Sequence, residues 1–183
     1  MANSSGPLLV LIGFMGAGKS TIGRLLARRL SCAFIDLDAE ISLVHGPIPE
    51  LFATRGESGF RAIEHHQLDT LLPTLRRPAI LALGGGAFLQ PANRELLNLH
   101  SATTVFLDAP FDLICARITA SAHPRPLARD PVQLHQLYEQ RRPSYLLAHH
   151  VVSVTGNDPE ALLSRLVQLC KQLGATGSAR DTL

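Results

Sequence analysis

Covalent and metallic reinforcement are missing from this chain. Its three cysteines, Cys32, Cys115 and Cys170, are odd in number, widely spaced and without a CxxC pair. That argues against a disulfide framework and a thiolate zinc site, and fits free thiols in a reducing compartment. Long apolar runs are also absent: no stretch reaches the roughly 18 residues of a membrane span. The short run Leu8–Ile12 has no positive segment before it and leads straight into glycines, which argues against a secretory signal. Charge of one sign is scarce too. Seventeen basic residues face fifteen acidic ones, a net charge of +2, and no arginine run exceeds a pair. No nucleic-acid footprint is expected from that balance. What remains is a cytoplasmic protein, expected to be a monomer, whose few positive charges must converge if it handles an anion.

The 183 residues are 46% hydrophobic and 17% charged, an ordinary globular composition. One domain of this length buries roughly 70% of its unfolded surface and needs no staple. Its core is expected over about residues 8–173, after a polar start (1–7) and before a loose tail (174–183). Short apolar runs at Leu8–Ile12, Ala33–Ile35, Ala79–Leu83, Thr103–Leu107 and Val151–Val154 predict five buried strands. Between them the apolar spacing is helical, as at Ile22, Leu25, Leu26 and Leu30, or at Phe60, Ile63, Leu68, Leu71, Leu72 and Leu75. Gly56 is a natural stop for a short helix over Pro49–Thr54, and Pro143 should break or kink the helix over Pro131–Ala148. Strands alternating with helices imply a parallel sheet covered on both faces, with ligands beyond the carboxyl ends of the strands.

Directly after the first run stands Gly13-Phe14-Met15-Gly16-Ala17-Gly18-Lys19-Ser20, which matches the phosphate-loop pattern G-x-x-x-x-G-K-[ST]. At background glycine usage the pattern arises by chance in about one chain of this length in a hundred. Its context also fits, since an apolar strand precedes it and an amphipathic helix follows. Triphosphate oxygens need many donors at close range. Glycines let successive N–H groups turn inward, and the start of the helix adds unpaired N–H groups. Lys19 can reach the β- and γ-phosphates and the Ser20 hydroxyl can ligate Mg²⁺. A ligand-free turn would need neither side chain. The chain has no N-K-x-D segment for guanine, so small size favours a small-molecule kinase.

Five further segments are individually ambiguous. Asp36-Leu37-Asp38 places two carboxylates in different directions, for a metal's water shell and a substrate hydroxyl, or is simply a helix N-cap. Arg61 and Glu64 are spaced to pair on a helix, either aiming Arg61 at a carboxylate or forming a surface ion pair. Gly84-Gly85-Gly86 permits close approach of a ligand or makes a tight turn. Arg125-Pro126-Leu127 falls in an aperiodic stretch, as a lid arginine or a solvated one. Arg141 and Arg142 precede Pro143 and Tyr145. The adjacent pairs His65-His66 and His149-His150 lack acid partners at ligand spacing and take the bland, non-metal assignment.

In this order behind a phosphate loop, the segments resemble the shikimate kinase family over about residues 8–172. They correspond to GxxGxGKS, D-x-D, F-x-x-x-G-E-x-x-F-R-x-x-E, G-G-G, R-P-L and R-x-P-x-Y. The resemblance implies a three-layer α/β P-loop kinase fold, with a five-stranded parallel sheet and a mobile lid over about residues 120–131. It implies ATP on Gly16, Ala17, Gly18, Lys19, Ser20 and Thr21, with Arg117 and the turn Thr155–Pro159 towards adenine. Mg²⁺ would lie on Ser20 and, through water, Asp36. Shikimate would be held by Asp38, Arg61, Arg141 and the backbone of Gly84, Gly85 and Gly86. Lys19, Asp38 and Arg125 would be catalytic, with Arg125 delivered by the lid, and ATP, ADP and shikimate the only partners. A sugar-acid kinase of the gluconate type and a non-catalytic ligand sensor are the alternatives. The R-P-L, F-R-x-x-E and triple-glycine segments argue against the first. Retention of Asp36, Asp38 and Arg125 argues against the second.

Overall fold

The computed structural model describes residues 6–120, 130–156 and 158–178, and side chains up to residue 174. Five strands form one sheet: β1 (Leu8–Ile12), β2 (Ala33–Asp36), β3 (Ala79–Ala82), β4 (Ala102–Asp108) and β5 (His150–Ser153). Their order across the sheet is β2-β3-β1-β4-β5, and every pairing is parallel. All five residues of β1 are buried, as a strand covered on both faces must be. Burying each of its leucines contributes about 1.5–3 kcal/mol.

Seven α-helices are seen among the described residues: α1 (Lys19–Leu30), α2 (Leu37–His45), α3 (Ile48–Leu71), α4 (Pro91–Leu99), α5 (Phe111–Thr119), α6 (Pro131–Tyr145) and α7 (Pro159–Ser178). Helix α1 packs against α7, β2 and β3, while α4 lies on β4 and against α3. No described helix is long and apolar enough to cross a membrane.

The strand order explains the location of the site. The chain leaves β1, skips one position to β2, returns to fill the gap with β3, and only then crosses to β4. The carboxyl ends of β1, β2 and β3 are therefore neighbours, and each leads into one of the sequence segments singled out above. A switch of direction beside the central strand is where such sheets open a ligand crevice.

Three details depart from the periodicity. Gly56 does interrupt a helix, with φ 66° and ψ −179°, but the helical path resumes at once, so α3 continues to Leu71 as two segments joined at a kink. Pro143 does not end α6, which runs on to Tyr145. Proline removes a single N–H bond, and only one further turn's start remains to be lost there. Helix α7 continues to Ser178, into the stretch read as a loose tail. Arg125, with the rest of residues 121–129, lies outside the described residues, as does Asn157.

Candidate active site

Strand β1 delivers the chain to Gly13, and the loop closes onto α1 at Gly18. That residue is the N-cap of α1 with φ 99° and ψ 12°, a left-handed conformation that glycine adopts without cost. No side chain caps this helix start, so its N–H groups remain available to an anion. Lys19 Nζ folds back over the loop and donates to the carbonyls of Gly13 at 2.8 Å and Phe14 at 3.0 Å. Arg117, from α5, donates to the carbonyls of Gly16 (3.4 Å), Ala17 (3.2 Å) and Gly156 (3.4 Å). The two segments expected near adenine, Arg117 and the 155–159 turn, thus meet beside the loop. Thr21 lies in the first turn of α1 and is exposed.

Asp36 ends β2 and takes the cap role the sequence allowed, while its second oxygen turns to the phosphate loop. Its Oδ1 accepts from the Asp38 backbone N–H at 3.2 Å, which makes it the N-cap of α2. Its Oδ2 accepts from the Ser20 hydroxyl at 2.5 Å. Two hard oxygen donors therefore adjoin the start of α1. Asp38, one residue into α2, turns the other way, towards the glycines that follow β3.

Two of those glycines, Gly84 and Gly86, leave room for side chains of the site. A Cβ on Gly84 would stand 2.5 Å from Asp38 Oδ1 and 3.0 Å from Glu64 Oε1. One on Gly86 would overlap the Arg61 guanidinium. The nearest heavy atom to a Cβ on Gly85 would be Met15 N of the phosphate loop, at 3.6 Å. Asp38, Glu64, Arg61 and the phosphate loop are all in contact with this one run of backbone.

Arg61 is 18% exposed and its partner Glu64 only 1%, with Nη1 to Oε2 at 2.8 Å. This is a pair inside the cleft rather than on the surface. A weaker contact reaches exposed Glu57 at 3.3 Å. The ring of Phe60 lies 5.4 Å from the Arg61 guanidinium carbon and stacks on Phe52. Burial lowers the readiness of Arg61 to hold its proton, but Glu64 and Glu57 outweigh that and raise it. Burial pushes the Glu64 carboxyl up; Arg61 opposes the rise and Asp38 adds to it. Glu64 Oε2 also accepts from Gln90 Nε2 at 3.0 Å. Glu64 Oε1 has no hydrogen-bond partner among the described residues.

The opposite wall is α6. Arg141 is 9% exposed, donates to the Gly85 carbonyl at 3.4 Å and lies 5.9 Å from the centre of the Phe14 ring. The Tyr145 hydroxyl donates to the same Gly85 carbonyl. Burial pushes that phenol up to about 12, against the pull of Arg141, so it stays a donor at any physiological pH. Two guanidinium groups thus approach the glycine run from α3 and α6. That arrangement suits a planar carboxylate, with Asp38 beside it to accept from a hydroxyl.

Several contributors carried no sequence signal. Arg142 points away from Arg141 and clamps Asp108, with Nε to Oδ1 at 3.2 Å and Nη2 to Oδ2 at 2.6 Å. Tyr138 donates to the Ala109 carbonyl at 3.2 Å and meets Phe14 edge-on at 5.5 Å. Helix α6 is therefore fastened to the exits of both β3 and β4. His65 hydrogen bonds to the buried Asn93 at 2.6 Å, and His149 accepts from the Thr104 N–H at 3.0 Å. Pairing across this distance in sequence leaves no local pattern to detect.

Comparison with known proteins agrees with this geometry. The family model described as shikimate kinase matches residues 15–171. The shikimate kinase of Synechococcus sp. (strain CC9605) is 39% identical over 182 residues, covering 97% of this chain and 89% of that protein. The solved shikimate kinase of Acinetobacter baumannii, in complex with shikimate, superposes with a TM-score of 0.81 at 36% identity, over 91% of this chain and 93% of that one. A gluconokinase of Sinorhizobium meliloti superposes with a TM-score of 0.59 at 20% identity, covering 98% of this chain and 94% of that one, which is likeness of fold alone. With its phosphate loop, its glycine run and its two converging arginines in the family's order, the chain belongs to the shikimate kinase family.

Proposed function

We propose that this chain transfers the γ-phosphoryl group of ATP to the 3-hydroxyl of shikimate, giving shikimate 3-phosphate and ADP. The observation that carries the reading is the convergence of Arg61 and Arg141 on Gly84–Gly86, opposite Lys19 and the phosphate loop. A carboxylate fits the two guanidinium groups, and a hydroxyl near Asp38 then faces the triphosphate.

Phosphoryl transfer asks a protein mainly for alignment and charge neutralisation. Gly16, Ala17, Gly18, Lys19, Ser20 and Thr21 would hold the phosphates, with Arg117 on the nucleotide side. Lys19, now occupied with loop carbonyls, would exchange them for phosphate oxygens. The acceptor oxygen forms its bond to the γ-phosphorus as the bond to the β–γ bridging oxygen breaks. ADP leaves with that electron pair, and the hydroxyl proton passes to the Asp38 carboxylate. Arg125 is assigned to the transferring group by the family pattern alone.

Ser20 and Asp36 offer the oxygen chemistry that Mg²⁺ takes. Among the described residues no group of three His, Cys, Asp or Glu side chains could hold an ion, which suits a metal that arrives with the nucleotide. Bound there, Mg²⁺ would neutralise charge on the phosphates. A cytoplasmic monomer fits these soluble ligands.

A coupled ADP-release assay tests the reading, with shikimate, gluconate or no acceptor. ADP is expected with shikimate only, and Lys19→Met should abolish it. Turnover with gluconate alone would reassign the acceptor, and failure to bind ATP or ADP with magnesium would remove the phosphate-loop role itself.

A further inference from the structure

The structure assigns Gln90 as a positioning residue for the acid-binding arginine: through its amide contact to Glu64, it holds Arg61 over Gly86. This rests on the reading that Arg61 receives the acceptor's carboxylate.

Gln90 is the residue before α4, and its backbone alone does the local structural work. Its N–H donates to the Ala87 carbonyl at 3.3 Å, and its own carbonyl accepts from Asn93 N at 3.2 Å and Arg94 N at 3.3 Å. The side chain makes no capping bond to α4. The single turn that follows the glycines, Ala87–Leu89, is fixed by other residues. Asn93 Nδ2 donates to Ala87 O at 2.9 Å, and Arg94 Nη1 to Phe88 O at 2.9 Å and Leu89 O at 2.8 Å. The Gln90 amide instead crosses to α3, where Nε2 reaches Glu64 Oε2 at 3.0 Å.

That oxygen is the one Arg61 uses, so one carboxylate atom is gripped from two helices. Glu64 is fully buried, and a buried carboxylate stays charged only as long as donors hold it. Arg61 has an alternative partner one turn back, Glu57, which is 68% exposed. Without Gln90, Glu64 loses one of its two donors, and the balance tips towards the exposed pair, away from Gly86. The other titratable groups facing Glu64 are Asp38 from α2 and Tyr145 from α6. Neither replaces the lost donor: Asp38 repels, and the Tyr145 hydroxyl is engaged with Gly85.

The test is equilibrium binding of shikimate and of ATP to the full chain, with Gln90→Leu and Gln90→Glu. Gln90→Leu should weaken shikimate by about tenfold or more, as loss of a hydrogen bond to a charged group does, and leave ATP within about twofold. The pH at which shikimate binding is half lost on acidification should also move up, because Glu64 takes its proton more easily. Gln90→Glu should be worse at neutral pH and recover as the pH falls, since the introduced carboxyl donates again once it is protonated. Shikimate binding within about twofold of the unsubstituted chain in both variants overturns the assignment, as does a parallel loss of shikimate and ATP. If the unsubstituted chain binds no shikimate, or Arg61→Ala binds it equally well, the acid-site reading itself falls, and Gln90 with it.

Discussion

The carboxylate of Asp36 is shared between the Ser20 hydroxyl, 2.5 Å from Oδ2, and the Asp38 N–H, 3.2 Å from Oδ1. One side chain joins the phosphate loop to the helix that carries Asp38. The cap and the proposed metal role should separate under substitution. Asp36→Asn keeps an oxygen for the cap, so the thermal midpoint should change little while the magnesium needed for half-maximal rate rises about tenfold or more. Asp36→Ala also removes the cap, at a cost of about 1 kcal/mol. A magnesium titration with thermal melts separates the two. An unchanged metal requirement in both variants would dissociate Asp36 from the metal.

Arg61→Ala and Arg141→Ala should each weaken shikimate by at least about tenfold while leaving ATP binding nearly intact. Lysine should not rescue either, because it lacks the planar fork. Titration calorimetry with each ligand gives the comparison. Equal losses for both ligands would contradict a carboxylate role.

Gly86→Ala places a methyl group where the Arg61 guanidinium lies, whereas the nearest heavy atom to a Cβ on Gly85 is at 3.6 Å, an ordinary contact. Gly86→Ala should therefore lower both the thermal midpoint and shikimate affinity, and Gly85→Ala should lower the midpoint far less. Similar melts for the two variants would show that the run tolerates side chains and has another purpose.

Glu64 links stability to pH. Its carboxyl is raised by burial, so in the window between the ordinary carboxyl value and the raised one the folded chain holds a proton that the unfolded chain has released. Unfolding free energy attributable to this group is then highest below that window and falls as pH rises through it. Glu64→Gln cannot titrate and should flatten that portion of the profile. Urea midpoints across mildly acidic pH provide the check. A profile as steep in the variant as in the unsubstituted chain assigns the slope elsewhere.

The sequence made some of this legible because the relevant patterns are local. The phosphate loop, the five apolar runs and the break at Gly56 each depend on neighbours within one element. Asp36 is legible as a cap, but its bond to Ser20 is not, because Ser20 is sixteen residues away. The i, i+3 spacing of Arg61 and Glu64 foretold the pair without revealing that Glu64 is buried. Burial there is supplied by the glycine run and by α4, across the fold. Gln90, 26 residues from Glu64, and Asp108, 34 from Arg142, meet their partners only once the sheet is assembled. Pro143 stands two residues before the end of α6, which stops at Tyr145 short of the Ala148 expected from the spacing. Arg125 remains an inference from the family pattern, outside the described residues.

Phe14 is the second residue of the phosphate loop, yet it is 1% exposed, with Tyr138 edge-on to its ring and Arg141 across its face. One aromatic ring thereby belongs both to the phosphate loop and to the surroundings of the arginine proposed to anchor the acid. A bound triphosphate that altered the freedom of that ring would act on Arg141 directly. Reciprocity then fixes the bookkeeping: the factor by which ATP alters affinity for the acid is the factor by which the acid alters affinity for ATP.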